Sequence, residues 1–145
     1  MKLTVDIENT VTRLPSGKIL LDPFTPENKL VLVCTKTDRG EESSFWFNHK
    51  THTTEGAKDK LQAQLDKATV MDLMKEQLKS GLSVDDIDGD DLEEYCLADV
   101  KATQELSELL IKKLYTTEYS SLNPIVNLTN ELCKLLAKIY SRGFS

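Results

Sequence analysis

The sequence predicts an α/β domain, on three observations. Apolar residues alternate with polar ones in segments within the first fifty positions, which is the period of strands. From Thr54 onward they recur at three or four residues, which is the period of helices. The chain has 145 residues, 39% hydrophobic and 29% charged, enough apolar content to bury one core and too much for a disordered chain.

From Lys2 to Thr10, Leu3, Val5 and Ile7 fall on one face of a half-buried strand, and Thr4, Asp6 and Glu8 on the other. After Pro15-Ser16-Gly17 and the proline-bearing stretch Asp22 to Pro26, Lys29 to Thr35 reads as a second strand and Ser43 to Asn48 as a third. Asp38-Arg39-Gly40 between them is turn chemistry and implies an antiparallel pair. Thr54 to Lys67 is an amphipathic helix with Ala57, Leu61, Leu65 and Ala68 along one side. Thr69 to Met71 is a short strand or a link, and Asp72 to Ser80 a helix ended by Gly81.

Val84 to Asp99 carries eight acidic residues and no basic one, as a helix amino terminus favours. Asp90 suits a cap for this helix, with Glu93 completing a capping box. A long helix from Asp91 to Tyr115 follows, marked by Leu92, Tyr95, Cys96, Leu106, Leu109, Leu110 and Leu114. A last helix runs from about Pro124 to Ser141, with Leu128, Leu132, Leu135, Leu136 and Ile139 on one side and Gly143 at its end.

A net charge of −6 argues against holding nucleic acid by a basic surface alone. It is compatible with a nuclease whose bound metals supply the positive charge. Cys34, Cys96 and Cys133 are scattered among apolar neighbours and suit reduced core thiols better than a disulfide framework or a zinc site. Asp6 stands where a secretory leader would need an apolar core, and no apolar run approaches the ~20 residues that span a membrane, so a cytoplasmic protein is expected. A calcium-loop reading of the acidic run fails. With Gly89 as the loop glycine, the first and last ligand positions fall on Val84 and Tyr95.

Two groups of residues carry chemistry. Side chains two apart on a strand lie about 6.5–7 Å apart on one face, so Asp6 and Glu8 are placed to share one or two divalent ions, although solvated acids on an exposed strand show the same pattern. Asp99 falls on the helical stripe through Leu92, Tyr95, Cys96, Ala102, Thr103 and Leu106. A carboxylate buried there needs a cation, donors or a metal, whereas one at the stripe's margin needs only a lysine. Tyr95 lies one turn earlier, in reach of a shared ligand or water.

Asp6-Ile7-Glu8-Asn9-Thr10 resembles the first motif of the DEDD exonucleases, and Tyr95-Cys96-Leu97-Ala98-Asp99 resembles their tyrosine-type third motif. With Asp22-Pro23-Phe24 and Leu92-Glu93-Glu94, most of the chain resembles the 3′-to-5′ proofreading domain of phage-type family A DNA polymerases. The resemblance implies a ribonuclease H-like α/β fold, here truncated to a mixed sheet of three to four strands with long helices. It implies two divalent ions, Mg²⁺ or Mn²⁺, held by Asp6, Glu8 and Asp99, with Tyr95 orienting the attacking water and Asn9 and Thr10 near the terminal nucleotide. The implied substrate is a single-stranded DNA 3′ end, the implied partner the remaining polymerase chain, and the implied setting the cytoplasm of a phage-infected bacterium. Residues 1–122 would be the exonuclease-like domain and 123–145 a helix leading toward the polymerase.

This sequence departs from the family's pattern at the second motif, an asparagine followed by an aromatic-aspartate pair, which is absent. Asp72 is the nearby substitute. The expectation is an exonuclease with a depleted site, and its alternative is an inactive fragment that binds nucleic acid or the polymerase. A face left uncovered by the missing segment would promote self-association.

Overall fold

In a computed structural model, residues 1–22, 24–74 and 84–142 are described, with side chains except at 70–74 and 140–142. The elements are β1 (Lys2–Asn9), β2 (Thr12–Arg13), β3 (Ile19–Leu20), β4 (Leu30–Thr37), β5 (Glu42–Trp46), α1 (Ala57–Lys67), β6 (Val70–Met74), α2 (Gly89–Leu114) and α3 (Asn123–Arg142). Single 3₁₀ turns lie at Val84–Asp86 and Ser120–Leu122.

The main sheet has the order β5-β4-β1-β6. β1 runs antiparallel to β4 and parallel to β6, so the sheet is mixed and β1 is an interior strand. β4 and β5 form the expected antiparallel pair, closed by a turn in which Gly40 has φ +88°, a conformation that glycine adopts without a Cβ penalty. β2 and β3 form a separate two-stranded ribbon around Gly17, also at positive φ.

β1 departs from the half-buried strand that its alternation suggests. Leu3, Thr4, Val5, Asp6 and Glu8 are all buried, because both faces of the sheet are covered. Leu3 and Val5 pack with Val33, Phe45 and Ala57, and Leu61 and Leu65 of α1 lie against this cluster. Leu32, Cys34 and Trp46 pack with Leu92, Cys96 and Val100 of α2. A polar row on a strand stays in water only when its face is open, and here α2 closes it.

Three differences from the sequence expectation have a clear physical cause. α1 begins at Ala57 rather than Thr54, since Trp46 N donates to Thr54 Oγ1 at 2.9 Å and Thr54 N to the Trp46 carbonyl at 3.3 Å, which ties Thr54 to the end of β5. Asp72 belongs to strand β6, in register with Thr4, and not to a helix amino terminus. Parallel pairing with β1 outweighs the local helical pattern there. The rest of that expected helix, and Gly81, lie outside the described residues, as does Gly143. At the start of α2, Asp88 rather than Asp90 caps the helix, its Oδ1 accepting from Asp90 N at 3.0 Å and Asp91 N at 3.4 Å.

The chain divides into two compact units, Met1–Glu105 and Leu106–Ser145. The second contains the end of α2, the turn at Ser120–Leu122 and α3. On α3, Ile125, Leu128, Leu132 and Leu135 are exposed, and so are Leu106, Leu109 and Leu110 on α2. No helix among the described residues is long and apolar enough to cross a membrane.

Candidate metal centre

The site is assembled where α2 crosses the face of β1. Strand periodicity places Thr4, Asp6 and Glu8 on that face, and antiparallel register sets Asp6 opposite Cys34 and Glu8 opposite Leu32. From above, α2 lowers Leu92, Cys96, Val100 and Gln104 onto the sheet at intervals of four residues, one row of a helix surface. Gln104 Nε2 donates to the Thr37 carbonyl at 3.0 Å and anchors this packing at the far end of β4. Ala102 and Leu106, expected on the buried stripe, are exposed, because the helix is rotated to present the 92-96-100-104 row.

Asp6, Glu8 and Cys96 consequently meet. One ligand atom from each lies within 4.8 Å of the others, and the three residues are 1%, 3% and 0% exposed. The Cys96 thiol donates to Asp6 Oδ2 at 3.3 Å. The neighbouring Cys34 thiol, then burial, then the Asp6 carboxylate hold the Cys96 thiol far above its ordinary value, so without a cation it is protonated. A bound divalent cation opposes all three effects by supplying positive charge where the thiolate would form. Reach and donor chemistry fit a metal, since atoms bound to one ion at 2.0–2.3 Å are separated by roughly 3–4.5 Å.

The other sequence-derived residues are placed as follows. Asp99 is half-buried on α2 with Oδ2 closed off from solvent, and it is not part of the Asp6-Glu8-Cys96 group. Tyr95, also half-buried, precedes Cys96 on the helix. Asn9 and Thr10 make local bonds at the end of β1. Asn9 Nδ2 donates to the Thr10 carbonyl at 2.8 Å, and Thr10 Oγ1 accepts from Lys29 N at 2.8 Å. Cys34 and Cys96 are buried free thiols as expected, while Cys133 is exposed on α3. Cys96 is the site residue that sequence reasoning treated as packing alone.

The rim of this end of the sheet is fixed by the segment after β5. His49 Nε2 donates to the Ile87 carbonyl at 2.8 Å, His52 Nε2 to Asp90 Oδ1 at 3.0 Å, and Lys50 pairs with Asp86. Both imidazoles lie against Trp46, at ring separations of 5.0 and 4.8 Å. These contacts tie the start of α2 and the turn before it to the segment after β5.

The chain matches no family model, no curated protein and no solved structure. What is established is a small α/β domain with a buried Asp/Glu/Cys group capable of coordinating a metal ion.

Proposed function

We propose that the chain is a metal-dependent phosphodiesterase, a 3′-to-5′ exonuclease domain of the proofreading kind with a ribonuclease H-like fold. The observation that carries this reading is the pairing of Asp6 and Glu8 on one interior strand, with ligand atoms within 4.8 Å, beneath a helix that also bears Tyr95 and Asp99. A mixed sheet ordered β5-β4-β1-β6, with helices over the first strand, supports the fold assignment. Asp6 and Glu8 would hold the divalent cation, Mg²⁺ or Mn²⁺, which when bound supplies Lewis acidity and charge neutralisation at a phosphodiester. Asp99 would supply a further carboxylate, and Tyr95 would orient the attacking water through its hydroxyl. The proposed substrate is the 3′ end of a single DNA strand.

A second reading, an inactive fragment that binds nucleic acid or a polymerase chain, is favoured by the depth of the site. Asp6 and Glu8 are almost wholly covered, which leaves a phosphodiester no approach unless α2 shifts. The test is degradation of a 5′-labelled single strand with Mg²⁺ or Mn²⁺, beside Asp6→Ala and Asp99→Ala. A ladder shortening from the 3′ end and abolished in both variants supports the exonuclease. No cleavage by folded wild-type protein supports the fragment reading.

A further inference from the structure

The candidate donor set contains a sulfur, and a sulfur donor biases a site's choice of cation. Magnesium is a hard ion that favours six oxygen ligands and retains water, whereas zinc and cadmium bind thiolate and carboxylate together in tetrahedral sites. On a tetrahedral ion with a metal–sulfur distance near 2.3 Å and a metal–oxygen distance near 2.1 Å, the sulfur and oxygen are separated by about 3.6 Å. Cys96 Sγ and Asp6 Oδ2 are 3.3 Å apart, so a small outward movement on either side of an entering ion reaches that geometry. The Glu8 oxygen lies within 4.8 Å of both.

A further buried polar atom lies on the same face of β1. Thr4 Oγ1 is fully buried there, two residues from Asp6, and has no hydrogen-bond partner among the described side chains. A buried hydroxyl in that condition costs about 1–3 kcal/mol unless something polar enters beside it. A metal-bound water is such a group, and a three-ligand site keeps a fourth position for one.

We propose that Asp6, Glu8 and Cys96 form a thiophilic centre that binds one zinc-class divalent cation in preference to magnesium. This rests on the reading of the same residues as a metal site and adds the class of metal. A zinc-class ion in the centre would then compete with Mg²⁺ or Mn²⁺ for Asp6 and Glu8.

The experiment is a titration of the full chain, in a Cys133→Ser background that removes the exposed thiol, with Cd²⁺ followed by ultraviolet thiolate-to-metal charge-transfer absorption. Expected is a band that saturates at one equivalent and disappears in Cys96→Ser, with Cd²⁺ affinity in that variant reduced about 100-fold or more. Mn²⁺ binding, read separately by electron paramagnetic resonance, should change little in Cys96→Ser and be lost in Asp6→Asn. Circular dichroism establishes that each variant is folded. Absence of the cadmium band, or its persistence in Cys96→Ser, overturns the proposal. If Mn²⁺ nevertheless binds and depends on Asp6, the metal-site reading stands without it. If neither ion binds, both fall.

Discussion

Replacing Asp6 by asparagine should stabilise the metal-free protein while removing its stabilisation by metal. The two carboxylates present ligand atoms within 4.8 Å in a covered site. With an effective dielectric of about 20, two ionised carboxylates at that distance would repel by roughly 3 kcal/mol, of which a shared proton would relieve part. Asparagine removes this repulsion, keeps the side-chain volume, and retains a carbonyl oxygen to accept from the Cys96 thiol. The bond it accepts is a neutral one, weaker by about 1 kcal/mol than one to a carboxylate. The balance favours the variant by about 1–2 kcal/mol, or about 3–6 °C in melting temperature for a chain of this size. In the wild type, a divalent cation at 100 times its dissociation constant should add about 2.7 kcal/mol, or some 5–10 °C. Thermal unfolding followed by circular dichroism, in chelator and then in Mn²⁺, measures both effects. Glu8→Gln should behave alike, because it relieves the same repulsion from the other side. An equal metal-induced shift in wild type and Asp6→Asn would refute the placement of the ion. A fall in melting temperature of Asp6→Asn in chelator would refute the electrostatic argument.

Three further outcomes follow from the packing. The Cys96 thiol is raised above the ordinary value of 9.0, so above that pH the unfolded chain releases a proton that the folded chain keeps. Stability is therefore fully present below about pH 9 and falls as pH rises, by up to ~1.4 kcal/mol per unit, a slope that urea midpoints should show in wild type and not in Cys96→Ala. A Cβ at Gly89 would overlap the His52 ring at Nδ1, so Gly89→Ala should lose about 1–3 kcal/mol in urea unfolding, and His52→Ala in the same chain should recover part of it, whereas additive losses would contradict the steric account. The exposed row of Ile125, Leu128, Leu132 and Leu135 on α3 recurs at three and four residues, as in helices that pair with their like. Sedimentation should show concentration-dependent association that Leu128→Glu with Leu135→Glu abolishes, and a monodisperse wild-type monomer would count against it.

The α/β class was legible because period two and period 3.6 are properties of local sequence. The β4–β5 pair was legible because Asp38-Arg39-Gly40 fits only a tight turn. β6 was not. Asp72 and its neighbours read locally as the start of a helix, and what makes them a strand is parallel pairing with β1, which belongs to tertiary structure. The burial of Thr4, Asp6 and Glu8 was hidden for a related reason. Alternation states that the three share a face, and it takes α2 to state that the face is closed.

The same distinction accounts for Cys96. The sequence marks a stripe on α2 broad enough to include both the 95-99-103 row and the 96-100-104 row, since adjacent positions differ by only 100° around the axis. Which row meets β1 depends on the rotation of the helix. That rotation is set by Leu92 and Val100 entering the cluster with Leu32 and Trp46, and by Gln104 reaching the Thr37 carbonyl. Once they are seated, Cys96 lies over Asp6, and Tyr95 and Asp99, on the adjacent row of the helix, are half-buried. A carboxylate in place of Cys96 would put a third negative charge beside Asp6 and Glu8 and would depend on the cation for its stability. A protonated thiol there leaves the site with one fewer negative charge when no ion is present, and it becomes a charged ligand only when a cation arrives. Cysteine at position 96 therefore lets one packed arrangement serve the metal-free and the metal-bound protein, and Cys96→Asp should make folding depend on divalent cations.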